Sequence, residues 1–226
     1  MNGTFRIKGG TPLRGEVTPL PNKNALMGAL PAAALECGGI LFNSLPKTLD
    51  VDIYLEILKN LGALISTNKP GTTHIDSQNL HSKLIQPSMG KQLRGAFSLA
   101  GPLLSRFNKV EMPLPGGCQL GYRSVTTHLD AFQKLDISIH KNENSVSLEA
   151  PKYHSKHYDL WLIEASVSAT LNTTLYAVGK GLSVCIKDAA CEPHVVEVLN
   201  LLTRMGASIN GIGTNELSIE PRKSLL

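Results

Sequence analysis

The sequence predicts an α/β fold in which one helix–strand–helix–strand–strand unit occurs three times. Three observations support this prediction: an amphipathic helix ending in a strand recurs at near-equal intervals, an apolar helix precedes each copy, and a short alternating strand follows each copy. One unit cannot bury both of its helices alone, so three units must share a core. We expect units at about 21–80, 88–150 and 158–221, with buried helices and outward-facing sheets, forming an inside-out α/β prism.

The first helix of each unit is predicted from an apolar run. These runs, each followed by a predicted strand, are 23–37 before 40–43, 92–106 before 110–113, and 166–178 before 182–186. The most apolar stretch, 25–42, contains Pro31, Glu36 and two adjacent glycines, which interrupt any continuous membrane-spanning helix. We therefore interpret it as a buried helix that runs into a strand.

The second helix of each unit is predicted from the clearest repeat. Apolar residues keep helical spacing up to a Gly or Asp residue, where a left-handed cap ends the helix and a strand begins. The three copies are 55–65, 129–139 and 199–209, and the closing strands are 73–76, 146–149 and 217–220. A coincidental run of ordinary α/β elements is the alternative explanation.

The composition argues against several classes of function. A chain of 226 residues that is 42% hydrophobic suits one large or two small domains. A net charge of only +4 and 5% aromatic residues argue against a nucleic-acid partner. The four cysteines show no metal-like spacing with each other or with histidine, which predicts a reducing, cytoplasmic location without a metal or other cofactor. The first ten residues lack the apolar core of a signal peptide, and we expect no membrane partner.

A glycine-rich loop at 114–123 carries the most reactive combination of residues in the chain. Pro115 stiffens the loop, and its three glycines allow backbone N–H groups to approach a bound anion closely. The thiol of Cys118 lies five residues before the guanidinium of Arg123. A nearby positive charge favours the thiolate or proton donation by the thiol, so the loop predicts an anion-binding reactive site.

Polar residues at three helix starts predict further anion contacts. They are 22–24 before the first helix, Arg94 near the start of the second, and 164–168 before the third. The free N–H groups of a helix N-terminus, together with Lys or Arg, suit phosphates and carboxylates. The alternative is that Asn22 and Ser166 are only N-caps and that Lys23 and Arg94 are solvated.

These residues resemble the N-terminal half of the UDP-N-acetylglucosamine 1-carboxyvinyltransferases, a family of enolpyruvyl transferases. The resemblance covers the whole chain in order, and the cysteine loop is specific because the sister enzyme, 5-enolpyruvylshikimate-3-phosphate synthase, lacks the cysteine. The matching segments are 5–7 with 15–17, Lys23-Asn24, 45–46 before 50–52, 93–94 through 101–103, 115–118 with Gly121 and Arg123, His128, 166–167, 169–170 and 192–193.

The resemblance implies roles for individual positions. Cys118 corresponds to the proton donor toward the vinyl carbon of phosphoenolpyruvate, and to the thiol that fosfomycin alkylates. Lys23, Asn24 and Arg123 correspond to the residues that bind phosphoenolpyruvate. The positions that correspond to the UDP-N-acetylglucosamine site are Arg94, Arg123, Ser124, Val125, Thr126, Thr127, Glu164, Ala165, Ser166 and Val167.

The resemblance also implies a reaction and a second lobe. The sugar 3′-hydroxyl adds to phosphoenolpyruvate and phosphate is then eliminated, in the first committed step of peptidoglycan synthesis. The family is about twice as long as this chain, with a general-base Asp and a further Arg in the second lobe. Residues 1–20 would form strands that join that lobe, so we expect little turnover by these 226 residues alone and possibly a separate second-lobe partner.

A non-catalytic half-module that binds an anion or nucleotide sugar is the alternative function. A thiol hydrolase is disfavoured because the loop has no histidine.

Some positions depart from the family pattern. Glu164 stands where a lysine is usual, Ser168 where a glycine is usual, Ser124 where a proline is usual, and Cys191 where an arginine is common. These changes predict a larger effect on nucleotide-sugar affinity than on the chemistry of Cys118.

Overall fold

Three consecutive units with the same order of elements form the fold. The computed structural model describes residues 4–35, 38–67, 71–81, 93–115 and 124–221, and also residues 85, 88, 90 and 225. The first unit contains α1 (Lys23–Ala32), β1 (Ile40–Phe42), α2 (Leu49–Asn60), β2 (Leu64–Ser66) and β3 (Thr73–Asp76). The second contains a 3₁₀ helix (Arg94–Leu99) continuing into α3 (Ala100–Phe107), then β4 (Lys109–Pro113), α4 (Thr126–Lys134), β5 (Ser138–Lys141) and β6 (Ser145–Glu149). The third contains β7 (Tyr158–Trp161), α5 (Val167–Lys180), β8 (Val184–Lys187), α6 (Pro193–Arg204), β9 (Ser208–Asn210) and β10 (Glu216–Glu220).

Each unit has its own sheet, and the closing strand of the unit lies inside that sheet. The strand orders are β1-β3-β2, β4-β6-β5 and β7-β8-β10-β9. All pairs are antiparallel except β7 with β8, which run parallel with Tyr158 opposite Val184. The predicted α/β class and threefold repeat are confirmed, and β7 is an additional strand that the sequence did not predict.

The second apolar helix is not the single continuous helix that the sequence predicts over 92–106. Residues 94–99 form a 3₁₀ helix, and α-helical geometry begins only at Ala100. Pro102 explains part of this difference, because proline cannot donate the helical hydrogen bond to residue 98 and its ring crowds that carbonyl. The tighter 3₁₀ turn thus places Arg94 at the very start of the helical segment.

The helices form the centre of the core, and they approach one another at glycines. Helix α5 buries nine of its fourteen residues, including Asn172, which is fully buried. A Cβ atom at Gly101 of α3 would overlap the carbonyl oxygen of Asn172, and a Cβ atom at Gly179 of α5 would overlap the side chain of Ser105 on α3. Only glycine therefore allows α3 and α5 to pack this closely.

The segment before α1 stands apart from this core. Residues 4–22 form no helix or strand, and all of them are exposed. Phe5, Ile7, Leu13 and Val17 are each at least 87% exposed. The assignment of residues 1–20 to a second lobe remains a prediction. No helix in the described ranges is both long enough and apolar enough to cross a membrane.

We expect Gly101→Ala to lower the free energy of unfolding by about 1–3 kcal/mol, because the added methyl group overpacks the contact with the α5 backbone. This cost must exceed the gain in helix propensity of about 1 kcal/mol that Ala brings. Urea denaturation measures the change. Gly95→Ala is the matched control, because its Cβ atom would meet other atoms only at 3.4 Å or more. Equal stability of the two variants would contradict the proposed close contact.

Candidate functional site

A polar cavity lies where the second and third units meet. Its volume is about 430 Å³. It opens beside the 3₁₀ helix, the start of α4 and the start of α5. The residues that line it are Arg94, Ser124, Thr127, His128, Glu164, Ser166, Val167 and Ser168. We call this cavity the anion pocket, because it contains a guanidinium and the N-terminus of a long helix.

The anion pocket brings together most of the residues for which the sequence predicted nucleotide-sugar contacts. Arg94, Ser124, Thr127, Glu164, Ser166 and Val167 all line it. Val125 is buried just before α4, while Thr126 and Ala165 are exposed near the rim. Cys118 and Arg123 lie outside the described residues. The predicted roles of all these residues remain predictions.

Arg94 connects two walls of the pocket. Its Nη2 atom donates a hydrogen bond to the carbonyl oxygen of Ser124 at 2.9 Å. Ser124 is the first described residue after the glycine-rich loop, so this contact connects the residue that follows the loop to the 3₁₀ helix. This contact uses one of the five N–H donors of the guanidinium.

Glu164 introduces a carboxylate into the same pocket. Its Oε1 atom accepts a hydrogen bond from the hydroxyl of Thr127 at 2.7 Å. This contact joins the start of α4 to the segment before α5. The pocket therefore holds a guanidinium and a carboxylate, and it suits a ligand that has both an anionic group and hydrogen-bond donors.

His128 lies beneath the pocket and is almost completely buried. Its Nε2 atom is 2.9 Å from the hydroxyl oxygen of Ser168, and its Nδ1 atom is 3.0 Å from the side-chain nitrogen of Asn172. The ring of Phe97 meets the imidazole edge-on at 5.1 Å between centroids. Burial, with a smaller effect of the charge on Arg94, lowers the pKa of His128 to about 3. The imidazole is therefore neutral at physiological pH.

The two predicted N-caps are present. The hydroxyl of Ser166 accepts a hydrogen bond from the N–H of Ala169 at 3.4 Å at the start of α5. The Oδ1 atom of Asn22 accepts hydrogen bonds from the N–H groups of Asn24 and Ala25 at 2.8 and 3.2 Å at the start of α1. Both residues therefore cap their helices, and the ligand contact of Ser166 stays a prediction.

Lys23 is not simply solvated. Its Nζ atom lies 2.6 Å from Oδ2 of Asp50, and the Lys23 side chain is 47% exposed. An exposed ion pair of this kind contributes at most about 1 kcal/mol. An anionic ligand at the start of α1 could therefore replace Asp50 at little cost.

Ser168 and Asn172, the hydrogen-bond partners of His128, have no individual role in the sequence prediction. Ser168 enters it only within the polar segment 164–168 and as a departure from the family pattern, and Asn172 only within the apolar helix 166–178. The signal was present, because the two residues are four apart on one helix and so share a face. A buried Asn in an apolar helix also requires hydrogen-bond partners. The ring of His128 lies between these two side chains.

Comparison with known proteins gives a consistent picture. The family described as EPSP synthase (3-phosphoshikimate 1-carboxyvinyltransferase) matches residues 7–226. UDP-N-acetylglucosamine 1-carboxyvinyltransferase 3 of Caldanaerobacter subterraneus subsp. tengcongensis is 35% identical over 216 residues, which are 95% of this chain and 51% of that protein. UDP-N-acetylglucosamine 1-carboxyvinyltransferase of Borreliella burgdorferi is 36% identical over 222 residues, which are 98% of this chain and 51% of that protein. The chain thus spans about half the length of the curated relatives it matches.

Solved structures show the same fold. The enolpyruvyl transferase NikO from Streptomyces tendae superimposes with a TM-score of 0.81 at 18% identity, covering 96% of this chain and 51% of that one. An EPSP synthase from Acinetobacter baumannii gives a TM-score of 0.68 at 16% identity, covering 94% of this chain and 48% of that one.

We expect His128 to make folding less favourable at acidic pH. Its pKa is about 3 in the folded chain and about 6.5 when unfolded, so only the unfolded chain takes up a proton between these values. Its contribution is fully present above about pH 6.5, and about 2 kcal/mol is lost by pH 5. Urea denaturation at pH 7.5 and pH 5 should show a smaller pH effect in His128→Gln than in the wild type. The exposed His140→Gln is the control, and an unchanged pH effect in His128→Gln would contradict the assignment.

Proposed function

Because the chain belongs to the EPSP synthase family of enolpyruvyl transferases, we propose that it forms one lobe of a UDP-N-acetylglucosamine 1-carboxyvinyltransferase. The enzyme transfers the enolpyruvyl group of phosphoenolpyruvate to the 3′-hydroxyl of UDP-N-acetylglucosamine, as a step of peptidoglycan synthesis. The main support is the anion pocket, where Arg94, Thr127 and Ser166 converge from three distant segments of the chain.

The anion pocket binds the nucleotide sugar in this proposal. Arg94 offers guanidinium donors to the diphosphate, and the N-terminus of α5 adds a partial positive charge. The carboxylate of Glu164 repels phosphate, so the phosphates lie on the Arg94 side of the pocket and neutral donor groups of the nucleotide face Glu164. The thiol loop and the start of α1 bind phosphoenolpyruvate through Arg123, Lys23 and Asn24.

The chemistry takes place in two steps. The thiol of Cys118 gives a proton to the vinyl carbon of phosphoenolpyruvate, while the sugar oxygen bonds to the neighbouring carbon and loses its own proton. That addition gives a tetrahedral intermediate, and cationic side chains offset its negative charge. The former vinyl carbon then loses a proton, the bond from the central carbon to the phosphate oxygen breaks, and phosphate leaves.

In this proposal, the part of the relatives that this chain does not cover supplies the catalytic groups that these 226 residues lack. The general base that takes the sugar proton belongs to a second lobe, and closure of the two lobes excludes water. Phe5, Ile7 and Val17 alternate with polar neighbours in the exposed segment before α1, as in strands that pair with another sheet. Residues 1–20 therefore pair with that lobe.

We expect Arg94→Ala to weaken the binding of UDP-N-acetylglucosamine by about 10-fold or more, because a charge-assisted hydrogen bond to phosphate is lost. Isothermal titration calorimetry measures this affinity. Arg204→Ala is the matched control, because Arg204 lies at the end of α6 beside a different cavity. Equal affinities of the two variants would remove the main support for the proposal.

We expect fosfomycin to form a single covalent adduct that requires Cys118 and that forms faster when UDP-N-acetylglucosamine is present. We also expect these 226 residues alone to release little phosphate from phosphoenolpyruvate. The thiol and the nucleotide-sugar site belong to this lobe, whereas the general base does not. Intact mass spectrometry detects the adduct, and Cys118→Ser is the control. Absence of the adduct, with nucleotide-sugar binding retained, would favour a non-catalytic binding module. Substantial phosphate release would disprove the requirement for a second lobe.

A further inference from the structure

A series of hydrogen bonds from Asn172 through His128 to Ser168 leads from the helix core to the anion pocket. The contacts of Asn172 determine which atom donates in each of these bonds. The Oδ1 atom of Asn172 is 2.6 Å from the backbone nitrogen of Gly101, and its Nδ2 atom is 3.0 Å from the carbonyl oxygen of Phe97. A backbone N–H can only donate and a carbonyl can only accept, so both contacts fix the same orientation of the amide. The NH₂ group of Asn172 therefore has one remaining hydrogen that points toward His128.

The fixed amide determines the tautomer of His128. The Nδ2 atom of Asn172 lies 3.0 Å from Nδ1 of the imidazole and donates to it. Nδ1 must then be the unprotonated nitrogen, and the single ring proton of the neutral imidazole lies on Nε2. Nε2 is 2.9 Å from the hydroxyl oxygen of Ser168, so His128 donates to that hydroxyl.

The hydroxyl of Ser168 is thereby left with a proton to donate. Within the described ranges, its hydroxyl has no hydrogen-bond partner besides His128. Ser168 is exposed, lies in the first turn of α5 and lines the anion pocket. The hydroxyl proton can therefore be directed away from the imidazole and into the pocket.

We propose that Ser168 donates this proton to a phosphate oxygen of the ligand, and that His128 and Asn172 are positioning residues that orient the hydroxyl. The ligand class follows from the same pocket, because Arg94 and the N-terminus of α5 favour an anion and a hydroxyl donor completes its coordination. Identification of the phosphate as that of a nucleotide sugar rests on the function proposed above.

This series of hydrogen bonds has a specific advantage for such a contact. A serine hydroxyl in water rotates freely between donor and acceptor roles, whereas His128 occupies one lone pair of the oxygen. The neutral relay orients the hydroxyl without adding charge beneath the pocket. Ser168 stands where a glycine is usual in the family that the sequence resembles, so this donor is an additional contact. It lies in the same pocket as Glu164, which replaces the usual lysine.

The tautomer can be tested without any ligand. Nitrogen-15 NMR of the histidine-labelled chain, with His128→Gln to assign the signal, should show His128 protonated at Nε2 and without titration between pH 5 and pH 8. Protonation at Nδ1, or a charged ring in this range, would contradict the direction of hydrogen-bond donation from Asn172 through His128 to Ser168. Either result would overturn the proposal.

The ligand contact is tested with Ser168→Ala, Ser168→Thr and the control Ser218→Ala on β10, whose hydroxyl contacts Glu220 away from the pocket. The probes for calorimetry are UDP-N-acetylglucosamine, inorganic pyrophosphate and uridine. Loss of a hydrogen bond to an anion should weaken binding of the two phosphate-containing probes by about 10-fold or more in Ser168→Ala. Ser168→Thr keeps the hydroxyl and should retain most of the affinity, and uridine should bind equally to all variants.

The outcomes separate this inference from the proposed function. Ser168-dependent binding of pyrophosphate without any binding of UDP-N-acetylglucosamine would support the phosphate contact and disprove the nucleotide-sugar function. Binding of UDP-N-acetylglucosamine that is unchanged in Ser168→Ala would overturn the contact and leave the function intact. An equal loss of uridine affinity would show that Ser168 shapes the pocket rather than binding phosphate, and failure of the wild type to bind any probe would overturn both.

Discussion

The close contact between Gly101 and Asn172 is the constraint on which the rest of the structure depends. The missing side chain at Gly101 lets α3 and α5 approach until the amide of Asn172 accepts a hydrogen bond from the backbone. That bond orients the amide, the amide orients His128, and His128 reaches the wall of the anion pocket. A packing requirement in the core is thus transmitted to the wall of the anion pocket.

Much of the fold could be predicted from the sequence because its signals are local. Apolar residues at helical spacing, followed by alternating apolar residues, predicted the second helix and the closing strand of each unit. The predicted strand 73–76 has the same bounds as β3. Strand β7 was missed, because its four residues follow a polar segment and are held by parallel pairing with β8. The 3₁₀ geometry before α3 was also missed, since it depends on Pro102 together with the packing of Gly101 against α5.

The candidate site was predictable only in part. Charged residues at helix starts identified Arg94 and the segment before α5, and the resemblance to a family added Thr127 and Ser124. The partners of these residues could not be predicted, because Arg94 contacts Ser124 and Thr127 contacts Glu164 across long stretches of chain. Likewise, Lys23 pairs with Asp50 only because α1 and α2 pack together. Helix packing decides these contacts, and no local pattern encodes it.

The arrangement of the sheets has a consequence for how the chain reaches its native state. Every described strand pairs within its own unit, so the backbone ladders close over short stretches of sequence. Closing short loops costs little entropy, and such ladders can form early. The units meet chiefly through their helices, although β7 of the third unit also packs against α4 of the second. The association of the helices around α5 involves residues such as Gly101 and Asn172 that are far apart in the chain. Assembly of the helical centre is therefore the topologically slow event, and it is also the event that creates the pocket.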